Sequence, residues 1–485
     1  MEKGLVALII FLILAGTTGF SEEASQEEKA FVGQVVHTLD ALHADHQKVW
    51  ADYDISLSPI VIVFGNGHIY AFNLQAKSSE WQNQKIRGST VLFSEKDSWG
   101  LSQIAMQSGF VIDGQESFVF NLGITQNNVS MQQQLLVLVH ELFHLYQFEH
   151  FQGIKEKGAY VDQANVANLA LIYVEDRILL DYLHSPKKGR KEHLKNFLAI
   201  NKTRQGILQE SSILWEKHQQ IMEGLADYVS IKTYDQFNIL PGFSGRTHLF
   251  KISSRQLGGD ITQNAIKWRH YSLGATLGYA LDEMNVKNWK KHVQNNEKSQ
   301  SELLHEKIPL TQEQVSMRTE KIKKRYNFSG IKANLQKEIA VREANMHELL
   351  EDYEAVEGIT ITIENPADTK INGGGTSAGI FHMANGSTVS VKDISYAMSD
   401  DNLWKLELKE IPFVFQNQAG DRILKLDDQT KVELDGKSYR FQELAVMNSA
   451  VSFTTIVWDG DQCSFESNGR SGRVEVIDGK VNIRF

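Results

Sequence analysis

The chain has little of what marks several large classes of protein. It contains one cysteine, Cys463, so it cannot form an internal disulfide and has no cysteine cluster to bind a metal. Its formal charge of -10 lacks the cationic excess that binding to a phosphate backbone requires, so no nucleic acid partner is expected. The one basic cluster, residues 187–191, is predicted to be a solvated turn between helices. There is no repeat of fixed period and no low-complexity tract.

A long apolar run is also missing. Residues 5–14 are apolar, follow Lys3 and precede a stretch of small residues, which is the layout of a secretory signal peptide. This run is shorter than the roughly 20 residues that a membrane-spanning helix needs, although an uncleaved anchor is the alternative. We therefore expect residues 1–21 to be a signal peptide, the protein to be secreted or periplasmic, and no stable membrane insertion after signal removal.

The remaining chain of this 485-residue protein is long enough for more than one hydrophobic core. Residues 27–130 combine one helical pattern with β-branched runs and predict an α+β part that includes a hairpin at residues 59–72. Residues 131–355 show helical patterns, and the charged stretch 313–353 is predicted to be one solvated helix. Residues 358–485 alternate short strands with turns, which predicts a C-terminal β-sandwich or small barrel. The expected fold class is α+β.

The pattern His140-Glu141-Leu142-Phe143-His144 lies inside an apolar helical run. Residues four apart lie on one face of a helix, so both histidines can direct an imidazole at one ion while Glu141 projects beside them. Burying two imidazoles and a carboxylate in an apolar helix is costly unless something such as a divalent metal satisfies them. Because only nitrogen and oxygen ligands are present, Zn²⁺ is the first expectation.

A catalytic zinc usually has three protein ligands and keeps a fourth position for water. Glu223 is predicted to be the third ligand, because it lies in a second helical pattern that is otherwise largely apolar. Asp227 is one turn further along and is predicted to accept the free N–H of a ligating imidazole. Glu175 is the alternative third ligand, but Arg177 nearby offers it an ordinary salt bridge.

Together, His-Glu-Leu-Phe-His at residues 140–144 and Glu-Gly-Leu-Ala-Asp-Tyr at residues 223–228 resemble the pattern of gluzincin, or thermolysin-like, zinc metallopeptidases. The resemblance implies a zincin-like catalytic unit in which His140, His144 and Glu223 bind zinc, Glu141 is the general base and Asp227 supports a ligand histidine. It covers these two helices only. His150 has the offset of the third histidine of metzincins, but Gln147 stands where that family has glycine.

These observations favour a secreted zinc metallopeptidase that acts on peptides or proteins. Tyr271 and His270 are predicted donors to the oxyanion, and residues 118–121 are a candidate edge strand for binding the substrate. The C-terminal β domain is expected to contact a surface or glycan. One alternative is a binding or scaffold protein with a residual metal site. Glu141 disfavours it, because structural zinc sites rarely keep a base beside the metal. The other alternative is a zinc hydrolase of another amide or ester.

Overall fold

A computed structural model of the chain places its residues in two compact units, one extending to Glu338 and the other beginning at Ile339. It describes residues 25–55, 58–125, 129–153, 160–162, 165–259, 261, 264–355, and the strands and short turns between residues 359 and 484. The predicted signal peptide lies outside the described residues. In the part of the chain that is described, no helix is both long and apolar enough to cross a membrane.

The first unit contains a six-stranded sheet that precedes the metal-binding motif in sequence. Its strands are β1 (Ile60–Val63), β2 (Ile69–Phe72), β3 (Gln82–Ile86), β4 (Ser89–Ser94), β5 (Met106–Ile112) and β6 (Gln115–Asn121). Their order is β3-β4-β2-β1-β6-β5. The β1–β6 pair is parallel and the other pairs are antiparallel. The predicted hairpin is confirmed as β1 and β2, and the residues of β3 and β5 were not predicted to be strands.

The prediction that residues 118–121 form an edge strand is wrong. These residues belong to β6, which pairs with β1 on one side and with β5 on the other. The sheet has one more strand at each end than predicted, because the polar residues of β3 pair with β4 and β5 pairs with β6. The free edges of this sheet are therefore β3 and β5, and β5 carries a register shift between Gln107 and Phe110.

Both faces of the sheet are covered near β1, which explains its continuous run of β-branched residues. Ile60 and Ile62 join the large core shared with the helices. Val61 and Val63 join a smaller core on the opposite face, together with Val119 and the partly buried Trp99. A central strand buried on both faces needs apolar residues at every position instead of alternation.

Helices make up the rest of the first unit, and the last helix begins there and continues past Glu338 to Ala355. They are α1 (Gln26–Asp45), α2 (Leu122–Thr125), α3 (Met131–His150), α4 (Val166–His184), α5 (Lys187–Gln205), α6 (Glu210–Gln219), α7 (Leu225–Phe237), α8 (Gly245–Leu257), α9 (Arg269–Glu283), α10 (Trp289–Gln294), α11 (Gln300–Lys307), α12 (Gln312–Arg325) and α13 (Phe328–Ala355). Two π-helical turns, Gln220–Gly224 and Asn264–Trp268, directly precede α7 and α9. The chain is thus a mixture of helix and sheet, as predicted in general terms.

Two local predictions are corrected in this helical part. The basic cluster is not a turn, because Pro186 caps the start of α5 and Lys187 begins its first turn. Proline suits this place because an N–H at the start of a helix has no intrahelical acceptor. The charged stretch 313–353 is two helices, since Asn327 adopts a left-handed conformation with φ of 53° between α12 and α13.

The second unit is a β structure in which thirteen of the described strands form one hydrogen-bonded network. They are β7 (Ile359–Ile363), β8 (Asn372–Thr376), β9 (Gly379–His382), β10 (Thr388–Asp400), β11 (Trp404–Gln416), β12 (Arg422–Leu426), β13 (Lys431–Leu434), β14 (Lys437–Arg440), β15 (Val451–Phe453), β16 (Ile456–Asp459), β17 (Cys463–Ser467), β18 (Gly472–Ile477) and β19 (Lys480–Arg484). Most are short, but β10 and β11 have 13 residues each and pair with each other. The predicted turn at Asp435-Gly436 joins β13 to β14, with φ of 49° and 78°.

Candidate metal centre

Both predicted histidine ligands lie on α3. A capping box fixes the start of this helix: Ser130 accepts from the backbone N–H of Gln133, whose side chain accepts from the backbone N–H of Ser130. Two turns further along, the rings of His140 and His144 have centroids 4.7 Å apart, and their Nε2 atoms are separated by 3.0 Å. His140 is only 7% exposed. The two imidazoles therefore present nitrogen atoms to one buried position.

Glu223 reaches the same position from the π-helical turn between α6 and α7. Its Oε2 atom lies 3.3 Å from Nε2 of His140 and 3.5 Å from Nε2 of His144. A tetrahedral zinc with bonds of about 2.0–2.1 Å separates its ligand atoms by roughly 3.3–3.4 Å. The three atoms are thus spaced like one face of such a tetrahedron, which leaves a fourth position for water.

Glu141 lies beside this triangle. One oxygen of its carboxylate and one ring nitrogen each of His140 and His144 all lie within 4.8 Å of one another. The side chain is half-buried, and among the residues that the structure describes its carboxylate makes no hydrogen bond or ion pair. Its carboxylate is therefore able to accept a proton next to the position where an ion would bind.

Two side chains, the half-buried Asp227 and the fully buried Gln147, orient the imidazoles. The Nδ1 atom of His140 lies 2.8 Å from Oδ1 of Asp227, as predicted, and Nδ1 of His144 lies 2.8 Å from Oε1 of Gln147. Because each Nδ1–H donates to one of these oxygens, Nε2 is the nitrogen of each ring that a metal would bind. The amide nitrogen of Gln147 donates in turn to the carbonyls of Ile221 and Met222, at 2.7 and 3.1 Å. Gln147 thereby connects a histidine ligand to the turn that carries Glu223.

The electrostatic environment favours a cation. Burial by itself lowers the pKa of His140, but its hydrogen bonds to Asp227 and Glu223 outweigh burial and raise that pKa well above 6.5. Burial likewise raises the pKa of Glu223, and its hydrogen bonds to both histidines outweigh this and hold the pKa far below 4.5. Carboxylates that stabilise a proton on a neighbouring imidazole also stabilise a metal ion bound to it.

The two predicted oxyanion donors differ in position. The ring of Tyr271 is stacked on that of His140 at 5.7 Å with an interplanar angle of 8°. Burial and the neighbouring Glu223 raise the pKa of Tyr271 well above 10.0, so its hydroxyl stays protonated. His270 is fully buried, its Nε2–H donates to the carbonyl of Ala265, and the charged groups that act on its pKa are Glu216, Arg269 and Arg204. Of the two side chains, Tyr271 is the one in contact with the histidine pair.

Glu175, the alternative third ligand, belongs to a separate buried cluster. One carboxylate oxygen accepts from Arg204 at 3.0 Å, and the other accepts from Arg269 at 2.8 Å. Both carboxylate oxygens are thus used in ion pairs. Arg177 was expected to form salt bridges with Glu175 and Asp176. This expectation is wrong, because Arg269 also pairs with Asp176, at 2.9 Å, and the side chain of Arg177 is exposed. A buried carboxylate needs a buried partner, which the inward-facing arginines provide.

His150 also takes no part in the candidate site. It is exposed at the end of α3, its Nδ1 atom lies 3.0 Å from the carbonyl oxygen of Tyr146, and its ring is stacked on that of Tyr146 at 4.2 Å. The helix continues through Gln147 to His150 instead of turning back toward the histidine pair. The metzincin arrangement therefore has no support in this geometry.

No family model, curated protein or solved structure matches this chain. The chemistry of the site therefore has to be inferred from its own geometry. Two imidazoles, a shared carboxylate, the neighbouring carboxylate of Glu141 and a protonated tyrosine can hold a divalent cation and handle a proton beside it.

Close packing at Gly224, Gly274 and Gly278, which was not predicted from the sequence, sets the distance between Glu223 and Tyr271. A Cβ atom on Gly224 would lie 2.6 Å from Cα of Gly274, and one on Gly278 would lie 2.5 Å from the ring of Tyr228. The spacing Gly274-x-x-x-Gly278 places both glycines on one face of α9, so this small-residue pattern was visible in the sequence. Helix α9 can therefore approach the ligand-bearing segment at backbone contact.

Gln147 was also missed as an orienting residue. The sequence indicates this role of Gln147 only weakly, because a single amide side chain in an apolar helix can have many different hydrogen-bond partners. It is fully buried and lies three residues after His144, a spacing at which helical side chains meet. A buried amide must find partners for its polar atoms, which makes such a position a candidate for orienting a neighbouring histidine.

Proposed function

We propose that the chain is a zinc-dependent hydrolase of peptide bonds, in which His140, His144 and Glu223 bind the metal. The observation that supports this most strongly is the triangle of the two Nε2 atoms and Oε2, with sides of 3.0, 3.3 and 3.5 Å. The spacing fits zinc, and both Nδ1 atoms are engaged elsewhere. A zinc ion held there supplies a Lewis acid and a bound water of lowered pKa.

Glu141 is the proposed general base. Its carboxylate accepts a proton from the attacking water and delivers it to the nitrogen of the leaving amine, so one side chain serves both steps. The half-buried position beside the histidines suits this role because a carboxylate there is close to the proposed reacting atoms and only partly exposed to bulk water.

Tyr271 is the proposed donor to the developing oxyanion. A donor must keep its proton at the working pH, and burial together with the charge of Glu223 keeps the Tyr271 hydroxyl protonated. The ring is held against His140, so the hydroxyl has a fixed orientation relative to the metal position. Asp227 and Gln147 position the histidines and do not touch the substrate in this proposal.

The broader setting is proposed on the same basis. The sheet followed by α3, with the third ligand on a later helical segment, agrees in element order with the zincin-like unit implied by the resemblance. We propose that the protein acts after export and that its substrates are peptides or proteins. The C-terminal β unit is proposed to bind a surface or a glycan.

The test compares the parent protein with Glu141→Gln, using Glu149→Gln as the matched control because Glu149 is exposed on the same helix. The parent and the control should bind zinc and cleave peptides in a mixed library followed by mass spectrometry. Glu141→Gln should bind zinc equally well and lose at least a hundredfold in rate, the usual scale for a general base.

The alternatives give different outcomes in the same experiment. Full activity in Glu141→Gln would contradict the assignment of the base. A zinc-loaded parent protein that cleaves esters or other amides but no peptide would contradict the peptide substrate. If the parent cleaves none of these bonds, the site is a structural or residual one and the chain acts as a binding protein.

A further inference from the structure

A cavity of about 500 Å³ in the first unit is lined by α4 and by the junction of α12 with α13. No aspartate or glutamate is among the described residues that line it. Most of its lining is polar and consists of two arginines, two tyrosines and two asparagines: Arg177, Arg325, Tyr173, Tyr326, Asn327 and Asn334. In a chain with a net charge of -10, a cavity with two guanidinium groups and no carboxylate in its lining is suited to an anion.

Contacts between α4 and the end of α12 hold the walls of this cavity in place. The hydroxyl of Tyr326 donates to Oδ2 of Asp181 at 2.7 Å, and Nη2 of Arg325 lies 3.3 Å from the same oxygen. Tyr173, Arg177 and Asp181 follow one another at intervals of four residues, so they share one face of α4. A ligand would therefore meet walls that are already joined, which lowers the entropic cost of binding.

The two guanidinium groups keep hydrogen-bond donors for a ligand. Arg177 makes no hydrogen bond or ion pair with any residue that the structure describes. Arg325 is paired with Asp181, but its side chain is 57% exposed and a guanidinium has five N–H groups. Asp181 offsets one of the two positive charges, so one remains uncompensated. Guanidinium groups bind phosphate and carboxylate oxygens through paired, charge-assisted hydrogen bonds.

Two basic runs lie at the same end of the helical part as this cavity. They are residues 187–191 at the start of α5 and the last five residues of α12, each with four basic residues and no acidic one. The hydroxyls of Thr319 and Thr203 are 2.9 Å apart near the end of α5, whereas Arg325 pairs with Asp181 shortly before α5 begins. Helix α12 therefore runs back along α5 and brings the two runs together. Their positive charge raises the local concentration of anions.

We propose that this cavity binds a small phosphate ester, with its phosphate group on Arg177 and Arg325 and its organic part against Tyr173 and Tyr326. The cavity is larger than a bare phosphate needs and has the size of an ordinary small-molecule site. The tyrosines offer aromatic surface to the organic part. None of the lining residues is a proposed metal ligand, base or oxyanion donor, so this site is independent of the proposed hydrolase function.

The experiment measures the binding of phenyl phosphate, inorganic phosphate and benzoate to the full-length protein by isothermal titration calorimetry. Zinc-loaded and EDTA-treated protein are compared, because phosphate also binds zinc. Arg177→Gln and Arg325→Gln test the cavity. Arg255→Gln is the matched control, because Arg255 is an exposed arginine of α8 outside the cavity.

We expect one equivalent of phenyl phosphate to bind per chain, with or without zinc. Its affinity should exceed that of inorganic phosphate and of benzoate by about tenfold or more, because only phenyl phosphate uses both the guanidinium groups and the tyrosine rings. Arg177→Gln and Arg325→Gln should each weaken this binding by about tenfold or more, since each removes charge-assisted hydrogen bonds. Arg255→Gln should bind like the parent, and all three variants should keep the parent's circular dichroism spectrum.

Three results would overturn the proposal. If the parent does not bind phenyl phosphate, or if both cavity variants bind it like the parent, the cavity is not a phosphate site. If only the zinc-loaded protein binds it, the ligand is on the metal and not in the cavity. If benzoate binds as tightly as phenyl phosphate, the assignment to phosphate esters is wrong. Peptide hydrolysis is not part of this experiment, so its result leaves the proposed function to be tested separately.

Discussion

Gly224 and Gly274 touch backbone to backbone: a Cβ atom on Gly274 would lie 2.7 Å from the Cα atom of Gly224 and equally close to the carbonyl oxygen of Gln220. Glu223 directly precedes Gly224, and Tyr271 lies one turn before Gly274. This single helix crossing therefore sets the separation between the third proposed ligand and the proposed oxyanion donor.

We predict that Gly274→Ala destabilises the protein by about 1–3 kcal/mol, because the added methyl group meets backbone atoms that have no rotamer with which to move away. The crossing should also open, so zinc affinity should fall together with stability. Chemical denaturation and zinc titration of the same preparation measure both effects.

The control for this change is Gly189→Ala in α5, where the nearest atom to an added Cβ is the Ser185 Cβ at 3.8 Å. Alanine there has space and a better helix propensity, so stability should rise by up to about 1 kcal/mol. If Gly274→Ala were as stable as the parent and bound zinc equally well, the close crossing would not be what positions Glu223.

Gln147→Met should weaken zinc binding by roughly 10- to 100-fold, the usual effect of removing a group that orients a ligand histidine. Methionine has similar length but cannot accept the N–H of His144 or donate to the carbonyls of Ile221 and Met222. Competition with a chromophoric chelator measures the affinity. Gln132→Met, at an exposed position of the same helix, should bind zinc like the parent, and equal affinities for all three proteins would exclude the orienting role.

His270 should make stability depend on pH. Burial lowers its pKa to about 4, whereas an unfolded histidine has a pKa near 6.5. As pH falls, the unfolded chain therefore takes up this proton before the folded protein does. The free energy of unfolding should not change through this histidine above about pH 6.5, and it should fall by up to about 1.4 kcal/mol per pH unit as pH drops from 6.5 toward 4.

His270→Gln, which keeps an N–H for the carbonyl of Ala265, should have a flatter profile of unfolding free energy between pH 6.5 and 4. Denaturant titrations in the presence of EDTA exclude the effect of zinc release. His347→Gln, at an exposed position of α13, should follow the parent. Parallel profiles for all three proteins would show that His270 does not carry this dependence.

The local geometry of the site could be predicted from the sequence because one regular helix determines it. The spacing of His140 and His144 on α3 follows from the helical repeat alone. The position of Glu223 was predicted from a second pattern far along the chain, and the structure brings these side chains together. The ion-pair partners of Glu175 could not be predicted, because Arg204 and Arg269 lie on two other helices.

The fold was harder to predict where polar residues form strands. β3 has the sequence Gln-Asn-Gln-Lys-Ile and β5 contains a glycine, so neither shows the apolar alternation of a typical strand. Their presence determines which strands lie at the edges, and the prediction for residues 118–121 failed for this reason. The break at Asn327 was missed because the charged helical pattern continues on both sides of it.

Zinc content measures most directly whether His140, His144 and Glu223 share one ion. Purified parent protein and Glu149→Ala, which changes an exposed glutamate of α3, should each contain one zinc per chain. His144→Ala and Glu223→Ala should retain their folded circular dichroism spectrum and contain little or no zinc after dialysis. One full equivalent of zinc in Glu223→Ala, or none in the parent after refolding with excess zinc, would contradict the proposed metal centre.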